Sequence, residues 1–261
     1  MLPADKSATG YEREDALRLK DKVAVVTGGA QGFGEGIAKR FAAEGAMVVV
    51  ADLNEAGAKK VAASLGNSAA ACRADVTKAA DVKAMIGLAQ KAFGRLDIVV
   101  NNAGTTHVNK PMLDVKEEEF DRIFAVNVKG IYLAALEAVP IFRKQGGGAF
   151  LNIASTAGLR PRPGLTVYNS SKGAVNVMTK SMAVEFAPDK IRVNALCPVA
   201  GDTPLLPSFL GQNTREAFIK TVPLGRLSTP EDIATGAVFL CSDEANFFTG
   251  VCLEVDGGRC I

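Results

Sequence analysis

The chain has 261 residues, 48% of them hydrophobic, which is enough to bury the core of one large α/β domain or of two small ones. The net charge is only +2 and acidic and basic residues are interspersed, so the charge pattern gives no indication of a nucleic-acid or membrane-surface partner. No apolar run approaches the ~20 residues that a membrane-spanning helix needs.

Residues 1–18 lack the apolar segment of a secretory signal, and we interpret them as a tail or surface arm. Five cysteines are scattered along the chain: Cys72, Cys197, Cys241, Cys252 and Cys260. They form no CxxC pair and have no histidine at ligand spacing. We therefore predict reduced thiols, no metal site and a cytoplasmic location.

Short runs rich in valine and isoleucine alternate with longer segments whose apolar residues recur at helical intervals. The runs predict strands at 22–27, 47–51, 68–72, 97–100, 149–153, 192–196 and 251–254. The longer segments predict helices that begin near Gly32, Glu55, Lys78, Val115, Leu165 and Pro230. This alternation predicts an α/β fold over residues 19–261: a single doubly wound parallel seven-stranded sheet, the Rossmann fold, with helices on both faces.

The alternation stops over residues 198–229, which contain four prolines and only a short helical pattern near 214–220. A long irregular insertion in a compact domain is usually functional, and we predict that this segment is a lid over the substrate. Its apolar side chains are expected to exclude water: Leu205, Leu206, Phe209 and Leu210. The alternative is a disordered loop.

The first predicted strand leads directly into a glycine-rich loop and then into a helix. Gly28, Gly32 and Gly34 stand where a phosphate would need close approach of the backbone and a tight turn. The first turn of the helix offers free N–H groups and the positive end of the helix dipole. A glycine-rich loop between a strand and a helix predicts a dinucleotide site.

Asp52 follows the second predicted strand, about 20 residues beyond the glycine loop, where a carboxylate would bind the hydroxyls of an adenosine ribose. It would repel a 2′-phosphate, and no arginine or lysine directly follows it to offset the repulsion. The sequence therefore favours NAD over NADP as the cofactor. The alternative role of Asp52 is that of a helix N-cap.

Tyr168 and Lys172 are four residues apart in a segment of helical periodicity, so their side chains are expected on one helix face. A phenol has an ordinary pKa of about 10, and an ammonium beside it favours the phenolate, so the pair is suited to proton transfer. Ser155 follows an apolar run, so its hydroxyl is expected just beyond the carboxyl end of a strand, where open α/β sheets bind ligands.

With these motifs in order, the chain resembles the short-chain dehydrogenase/reductase family from residue 19 to residue 261. The segment 27–34, ThrGlyGlyAlaGlnGlyPheGly, is similar to the cofactor loop of that family, and 101–104, AsnAsnAlaGly, to its motif after the fourth strand. The spacing of Tyr168 and Lys172 resembles that of its ordinary members and differs from the enoyl reductases, in which the two residues are farther apart.

The resemblance implies interconversion of an alcohol and a carbonyl by hydride transfer, with Asn127, Ser155, Tyr168 and Lys172 as the catalytic residues. Tyr168 would be the acid–base residue, and Lys172 would lower its pKa and hold the nicotinamide ribose. Ser155 would orient the substrate oxygen, and Asn127 would anchor a water in the proton relay.

The resemblance also implies which residues contact the cofactor. Asp75 and Val76 would flank the adenine, and Pro198 and Thr203 would enclose the nicotinamide end, while Val199 stands where the family commonly has glycine. The full expected set is Gly28, Gln31, Gly32, Phe33, Gly34, Asp52, Leu53, Asp75, Val76, Asn102, Ala103, Gly104, Tyr168, Lys172, Pro198, Val199, Ala200 and Thr203.

Three residues besides Ser155 are candidates for contact with the substrate. Arg160 and Arg162 lie between Ser155 and Tyr168, and a guanidinium matches the oxygens of a carboxylate, phosphate or sulfonate. They are either ligands of an anionic substrate or solvated surface arginines. His107, the single histidine, is either a substrate contact or a solvated loop residue.

The sequence thus predicts an NAD-dependent dehydrogenase of a secondary alcohol, such as a sugar, a polyol or a similar small hydroxylated metabolite. One alternative is a 3-oxoacyl thioester reductase, against which Asp52 argues. The other is a non-catalytic NAD-binding sensor, against which the intact catalytic set argues. The family resemblance and the apolar residues of the helix expected over 115–142 predict a homotetramer, and a buried monomeric core is the alternative.

Overall fold

The computed structural model describes residues 17–261, so all but the last two residues of the predicted tail lie outside it. Arg18 is held on the domain. Its Nη2 lies 2.6 Å from Glu244 Oε2, and its backbone N–H donates to Glu44. The folded domain therefore includes Arg18, which was predicted to lie in the tail.

Within the described residues, seven parallel strands form one sheet in the order β3-β2-β1-β4-β5-β6-β7. The strands are β1 (Val23–Thr27), β2 (Met47–Asp52), β3 (Ala69–Arg73), β4 (Ile98–Asn101), β5 (Gly148–Ile153), β6 (Ile191–Pro198) and β7 (Cys252–Val255). The predicted strands are confirmed, with ends that differ by two residues or fewer. The strand order reverses direction between β1 and β4, and such a reversal opens a crevice at the carboxyl ends of the strands.

Helices cover both faces of the sheet, as the sequence predicted. They are α1 (Gly32–Ala43), α2 (Glu55–Leu65), α3 (Ala79–Phe93), α4 (Glu117–Phe124), α5 (Gly130–Gln145), α6 (Thr166–Phe186), α7 (Leu206–Leu210), α8 (Arg215–Ile219) and α9 (Pro230–Cys241). Local sequence sets their ends. For example, the Thr229 hydroxyl accepts from the Asp232 N–H at 3.3 Å to start α9, and Gly94 ends α3 in the left-handed region.

The two faces of the sheet form two separate hydrophobic cores. Helices α3, α5 and α6 pack on one face, where Phe142 and Phe150 meet edge to face with ring centroids 5.2 Å apart. Helices α1, α2 and α9 pack on the other face. Because the sheet is covered on both sides, β1 is buried along its whole length, which explains its uninterrupted apolar sequence.

Helices α4 and α5 are continuous through a π-helical segment, Ala125–Lys129, and together span 29 residues. By length and composition this helix is long and apolar enough to cross a bilayer, which the sequence analysis did not anticipate. Half of its most apolar 18-residue stretch is buried inside the domain, and α5 packs against α3. These are the properties of a core helix.

The insertion at 198–229 is folded, so the disordered-loop alternative is wrong. It carries the two short helices α7 and α8, and its buried residues form a small cluster of their own: Val199, Leu206, Phe218, Val222 and Leu227. Val199, the unusual residue of this region, is 3% exposed and contributes its side chain to that cluster. The segment is therefore an ordered insertion with its own small core, and its role as a lid stays a prediction.

All five cysteines are free thiols, with Cys197 and Cys241 buried and the other three partly buried. In the part of the chain that the structure describes, no three His, Cys, Asp or Glu side chains are grouped so as to hold a metal ion.

Candidate active site

The carboxyl ends of the strands border a cavity of about 480 Å³. Every residue of the expected cofactor set lines it except Gly34, and so do Ser155 and Arg162. Asp52 lies at the end of β2, and Arg259 follows β7, so the cavity is lined from near one edge of the sheet to the other. Asn127, Arg160 and His107 lie outside its lining.

The glycine-rich loop shapes the cofactor end of this cavity. Gly28 and Gly32 have φ angles of 64° and 57°, in the left-handed region that favours glycine. Gly34 lies behind the loop in α1, where an added Cβ would overlap the Gly28 carbonyl oxygen. Gly34 therefore lets the helix approach the loop, and the other two glycines leave the cavity wall free of side chains.

Residues after β4 hold the glycine loop in place. Asn102 Nδ2 donates to the carbonyl oxygens of Thr27 at 2.8 Å and Gly28 at 3.0 Å. In return, the Thr27 hydroxyl accepts from the backbone N–H groups of Asn102 and Ala103, each at 3.0 Å. The AsnAsnAlaGly motif is thus a clamp on the loop as well as a part of the cavity wall.

Asp52 is the last residue of β2, and its carboxylate is tethered at the cavity edge. Oδ2 accepts from the Ala30 N–H at 3.0 Å and Oδ1 from the Asn54 N–H at 2.8 Å. The N-cap of α2 is Asn54, which accepts from Gly57, so the N-cap alternative for Asp52 is wrong. This end of the cavity combines a glycine-rich loop, the N–H groups at the start of α1 and the Asp52 carboxylate. The combination fits a dinucleotide with free ribose hydroxyls.

Tyr168 lies in the first turn of α6, 6% exposed, beside Ser155 at the end of β5. Burial raises the pKa of its phenol from 10.0 to about 12, whereas a hydrogen bond with Ser155 and the positive charge of Arg162 lower it. Ser155 Oγ accepts from the Ala157 N–H at 3.1 Å, which fixes the hydroxyl next to the cavity. The Phe209 ring packs on the phenol with centroids 5.1 Å apart.

Lys172 lies one turn farther along α6 and is 4% exposed. Its Nζ donates to the Ile153 carbonyl oxygen at 2.6 Å and lies 5.8 Å from the centroid of the Tyr168 ring, so the expected placement on one helix face is found. Burial lowers the pKa of this ammonium from 10.5 to about 8. Near neutral pH the pair therefore combines a protonated phenol with a lysine close to its own titration.

Asn127 lies in the π-helical segment between α4 and α5, and its side chain is fully engaged. Oδ1 accepts from the Thr105 N–H at 2.8 Å, while Nδ2 donates to the Thr105 carbonyl at 3.0 Å and to Ser171 Oγ at 2.9 Å. These bonds join the loop after β4 to α6, and π-helical segments are frequent at functional sites. The expected water contact of Asn127 stays a prediction.

Two of the candidate substrate residues lie away from the cavity. Arg160 is exposed, and its guanidinium donates to the main-chain oxygens of Arg259 and Ile261. His107 is 1% exposed and its Nδ1 pairs with the Val108 carbonyl at 2.9 Å. The solvated-loop alternative for His107 is therefore wrong, and a contact with the substrate finds no support in the cavity lining.

Sequence reasoning missed Arg259 and Phe218, which line the cavity together with Arg162. The Arg162 and Arg259 guanidiniums lie 4.4 and 5.3 Å from the centroid of the Phe218 ring. The only available signal was the ValAspGlyGly turn that precedes Arg259. Asp256 accepts there from the backbone N–H groups of Gly258 at 2.9 Å and Cys260 at 2.7 Å.

Comparison with known proteins agrees with this geometry. Residues 28–259 match a family model described as enoyl-(acyl carrier protein) reductase. The chain is 50% identical, over 93% of its length and 99% of the relative, to 4-formylbenzenesulfonate dehydrogenase of Comamonas testosteroni. It is 42% identical, over 93% and 98%, to 2,5-dichloro-2,5-cyclohexadiene-1,4-diol dehydrogenase of Sphingobium indicum.

Among solved structures, the chain is similar to 3-ketoacyl-(acyl-carrier-protein) reductase from Brucella melitensis complexed with NADH. The TM-score is 0.90 and the identity 50%, covering 93% of this chain and 100% of the other. The chain belongs to the short-chain dehydrogenase/reductase family. It is an oxidoreductase with the seven-stranded fold of that family.

Proposed function

We propose that this protein is an NAD-dependent dehydrogenase that interconverts a hydroxyl and a carbonyl group on a small molecule, with Tyr168 as the acid–base residue. The observation that carries the proposal is one cavity lined by the glycine loop, by Asp52 and by the Ser155, Tyr168 and Lys172 side chains. A dinucleotide site and a proton-transfer pair thus face the same space, as hydride transfer coupled to proton transfer requires.

NAD would be held by Gly28, Gly32, Asp52 and Lys172. When bound, it supplies the hydride acceptor or donor. Tyr168 Oη moves the proton to or from the substrate oxygen, and the Ser155 hydroxyl orients that oxygen by a hydrogen bond. With its pKa raised to about 12, the phenol is protonated near neutral pH and is suited to reduce a carbonyl. Alkaline pH increases the phenolate fraction and therefore favours oxidation of the alcohol.

The preference for NAD over NADP rests on the tethered Asp52 carboxylate. Its two oxygens are held at the cavity edge by backbone N–H groups, where they face ribose hydroxyls and repel a 2′-phosphate. The similar Brucella melitensis structure was solved with NADH, which supports the same cofactor here.

A small hydroxylated metabolite such as a sugar or polyol was the substrate class that the sequence suggested. The relatives widen that class, since their names include a dehydrogenase of an aromatic aldehyde sulfonate and one of a cyclic diol. A second candidate is reduction of 3-oxoacyl thioesters, which is favoured by the name of the structure at 50% identity. The four-residue spacing of Tyr168 and Lys172 resembles the ordinary dehydrogenases more than the enoyl reductases of the family description.

The test is spectrophotometric. NADH formation is followed at mildly alkaline pH with polyols, aldoses, aliphatic secondary alcohols and benzylic alcohols, and NADH or NADPH consumption with the N-acetylcysteamine thioester of 3-oxobutanoate. We expect turnover of at least one class of alcohol with NAD. Turnover confined to the thioester would establish the second candidate. Tight NAD binding with no turnover in either direction would support a non-catalytic sensor.

We also propose that the protein is a cytoplasmic homotetramer. Apolar side chains are exposed along α4, α5 and α6: Phe120, Tyr132, Leu136, Val177 and Val184. Burial of these side chains between subunits would remove apolar surface from water. Sedimentation equilibrium should give four times the chain mass of 27.3 kDa, and a single-chain mass would contradict the proposal.

A further inference from the structure

The substrate end of the cavity is built from three segments that are distant in sequence. Arg162 comes from the loop before α6, Phe218 from the insertion at 198–229, and Arg259 from the turn after β7. The two guanidiniums meet at the Phe218 ring, at 4.4 and 5.3 Å from its centroid. Stacking on an aromatic ring fixes the plane of a guanidinium and leaves its N–H edge free to donate.

These two arginines lack a carboxylate partner in the described chain. None of the ion pairs formed within residues 17–261 involves Arg162 or Arg259, although most other arginines there have one. Arg259 Nε donates to the Thr221 hydroxyl at 3.1 Å, but its Nη1 is buried and finds no hydrogen-bond partner among those residues. A buried donor without an acceptor is costly, and a bound anion is one partner that would satisfy it.

The charges at this end are also unbalanced. Burial, and after it the positive charge of Arg259, lower the pKa of Arg162 to about 10. The two acidic residues that line the cavity, Asp52 and Asp75, follow β2 and β3, far along the strand order from β7. Asp256 acts on the pKa of Arg259, but its oxygens accept from the backbone N–H groups of Gly258 and Cys260. Two half-buried like charges are tolerated more readily when an anion lies between them.

We propose that Arg162 and Arg259 bind an anionic group of the substrate, a carboxylate or a sulfonate, while its apolar body lies along Phe209 and Phe218. The alcohol or carbonyl compound on which the enzyme acts is therefore an organic acid. Phe209 packs on Tyr168 and lines the cavity together with Phe218, so the cavity offers two aromatic rings to an apolar substrate body. This inference rests on the proposed dehydrogenase function and specifies its substrate class.

The test compares isosteric pairs of probes that differ only in charge. The alcohols 4-(1-hydroxyethyl)benzoate and 4-(hydroxymethyl)benzenesulfonate are compared with the corresponding benzamide and benzenesulfonamide, using NAD and the full chain. The wild type should prefer the acids in kcat/KM by about 10- to 100-fold, the scale of a hydrogen-bonded charged pair. The carboxylate and sulfonate arms show which oxyanion the site takes.

The variants Arg162→Met and Arg259→Met should each remove most of this preference. They should lower kcat/KM for the acids by about tenfold or more and change it for the amides by less than about fivefold. Arg143→Met is the matched control, because Arg143 pairs with Asp189 just before β6, at the amino end of that strand, whereas the cavity lies at the carboxyl ends of the strands. Equal losses with acids and amides would overturn the proposal in favour of a packing role on Phe218.

Binding provides a readout that needs no turnover. Calorimetric titration of 4-ethylbenzoate and 4-ethylbenzamide into the enzyme with NAD should show the acid bound more tightly, with the difference lost in Arg259→Met. Equal affinities for acid and amide would overturn the anion site. Oxidation of neutral alcohols without any preference for acids would leave the dehydrogenase function intact, whereas tight binding of acids without turnover would contradict only that function.

Discussion

The two ends of the cavity are built in different ways. At the cofactor end, the cavity is lined by backbone atoms and short side chains at the carboxyl ends of β1, β2 and β4, such as those of Gly28, Asp52 and Asn102. At the substrate end, long side chains from three distant segments meet around Phe218. Short sequence motifs therefore predict the cofactor end, whereas the substrate end forms only when distant segments come together in the folded chain.

The two ends also differ in charge. Asp52 and Asp75 give the cofactor end its carboxylates, whereas Arg162 and Arg259 make the substrate end cationic. A carboxylate suits ribose hydroxyls, and paired guanidiniums suit an oxyanion. Tyr168 and Ser155 line the same cavity, and we propose that the reaction takes place beside them.

Replacement of Tyr168 by phenylalanine should give the largest loss of activity, since Tyr168 is the proposed acid–base residue. The variant loses the proton donor at Oη, and kcat should fall by about 10²- to 10⁴-fold, the range of general acid–base catalysis. NAD affinity, measured by fluorescence titration, should change little because the glycine loop and Asp52 are untouched. Retention of more than a few per cent of activity would remove Tyr168 from the acid–base role.

Gly34→Ala should disrupt the cofactor end alone. The new Cβ would overlap the Gly28 carbonyl oxygen, which is backbone and cannot move aside cheaply, so NAD affinity should fall by about 100-fold. Gly87→Ala in α3 is the matched control, because a Cβ there meets nothing within 4 Å. Unchanged NAD affinity in Gly34→Ala would show that the loop does not hold the cofactor.

Asp52→Asn should change cofactor choice more than cofactor affinity. It keeps the shape and one of the two acceptor oxygens of the side chain but removes its charge, so the ratio of the Kd values for NADP and NAD should fall by about tenfold. General damage to the loop would weaken both cofactors equally and leave that ratio unchanged. Parallel titrations with the two dinucleotides distinguish these outcomes.

Arg162→Met should give the smallest of these effects, a shift in the pH profile. The charge of Arg162 lowers the pKa of Tyr168, so its removal destabilises the phenolate and raises that pKa. The rate of oxidation of a neutral alcohol rises as the phenolate forms, and its profile should move to higher pH by about half a unit. Arg160→Met, which removes an exposed guanidinium outside the cavity, is the control and should leave the profile in place.

Much of the fold and of the cofactor end was predictable because short-range rules govern them. Buried parallel strands appear as uninterrupted apolar runs, and the helices between them begin where the sequence places glycine, proline or a capping residue. The placement of Tyr168 and Lys172 on one helix face followed from their spacing, since four residues along a helix return to the same face. Those predictions needed no knowledge of which segments meet.

The errors at the substrate end were of tertiary origin. His107 appeared to be a loop residue near the site, yet the surrounding chain buries it away from the cavity. Arg160 and Arg162 are two residues apart and looked equivalent, but only Arg162 lines the cavity, while Arg160 bonds the C-terminal main chain. Adjacent side chains in an irregular loop have no periodicity that fixes their directions.

The sequence by itself determined the sheet, the dinucleotide loop, Asp52 and the Ser155, Tyr168 and Lys172 set, because each depends on a local pattern at the end of one strand or along one helix. Only the tertiary structure decided the substrate end. The packing of the insertion and of the turn after β7 brings Phe218 and Arg259 to Arg162 across large separations in sequence. No local sequence pattern predicts the contact of these three side chains, because it depends on the packing of the whole domain.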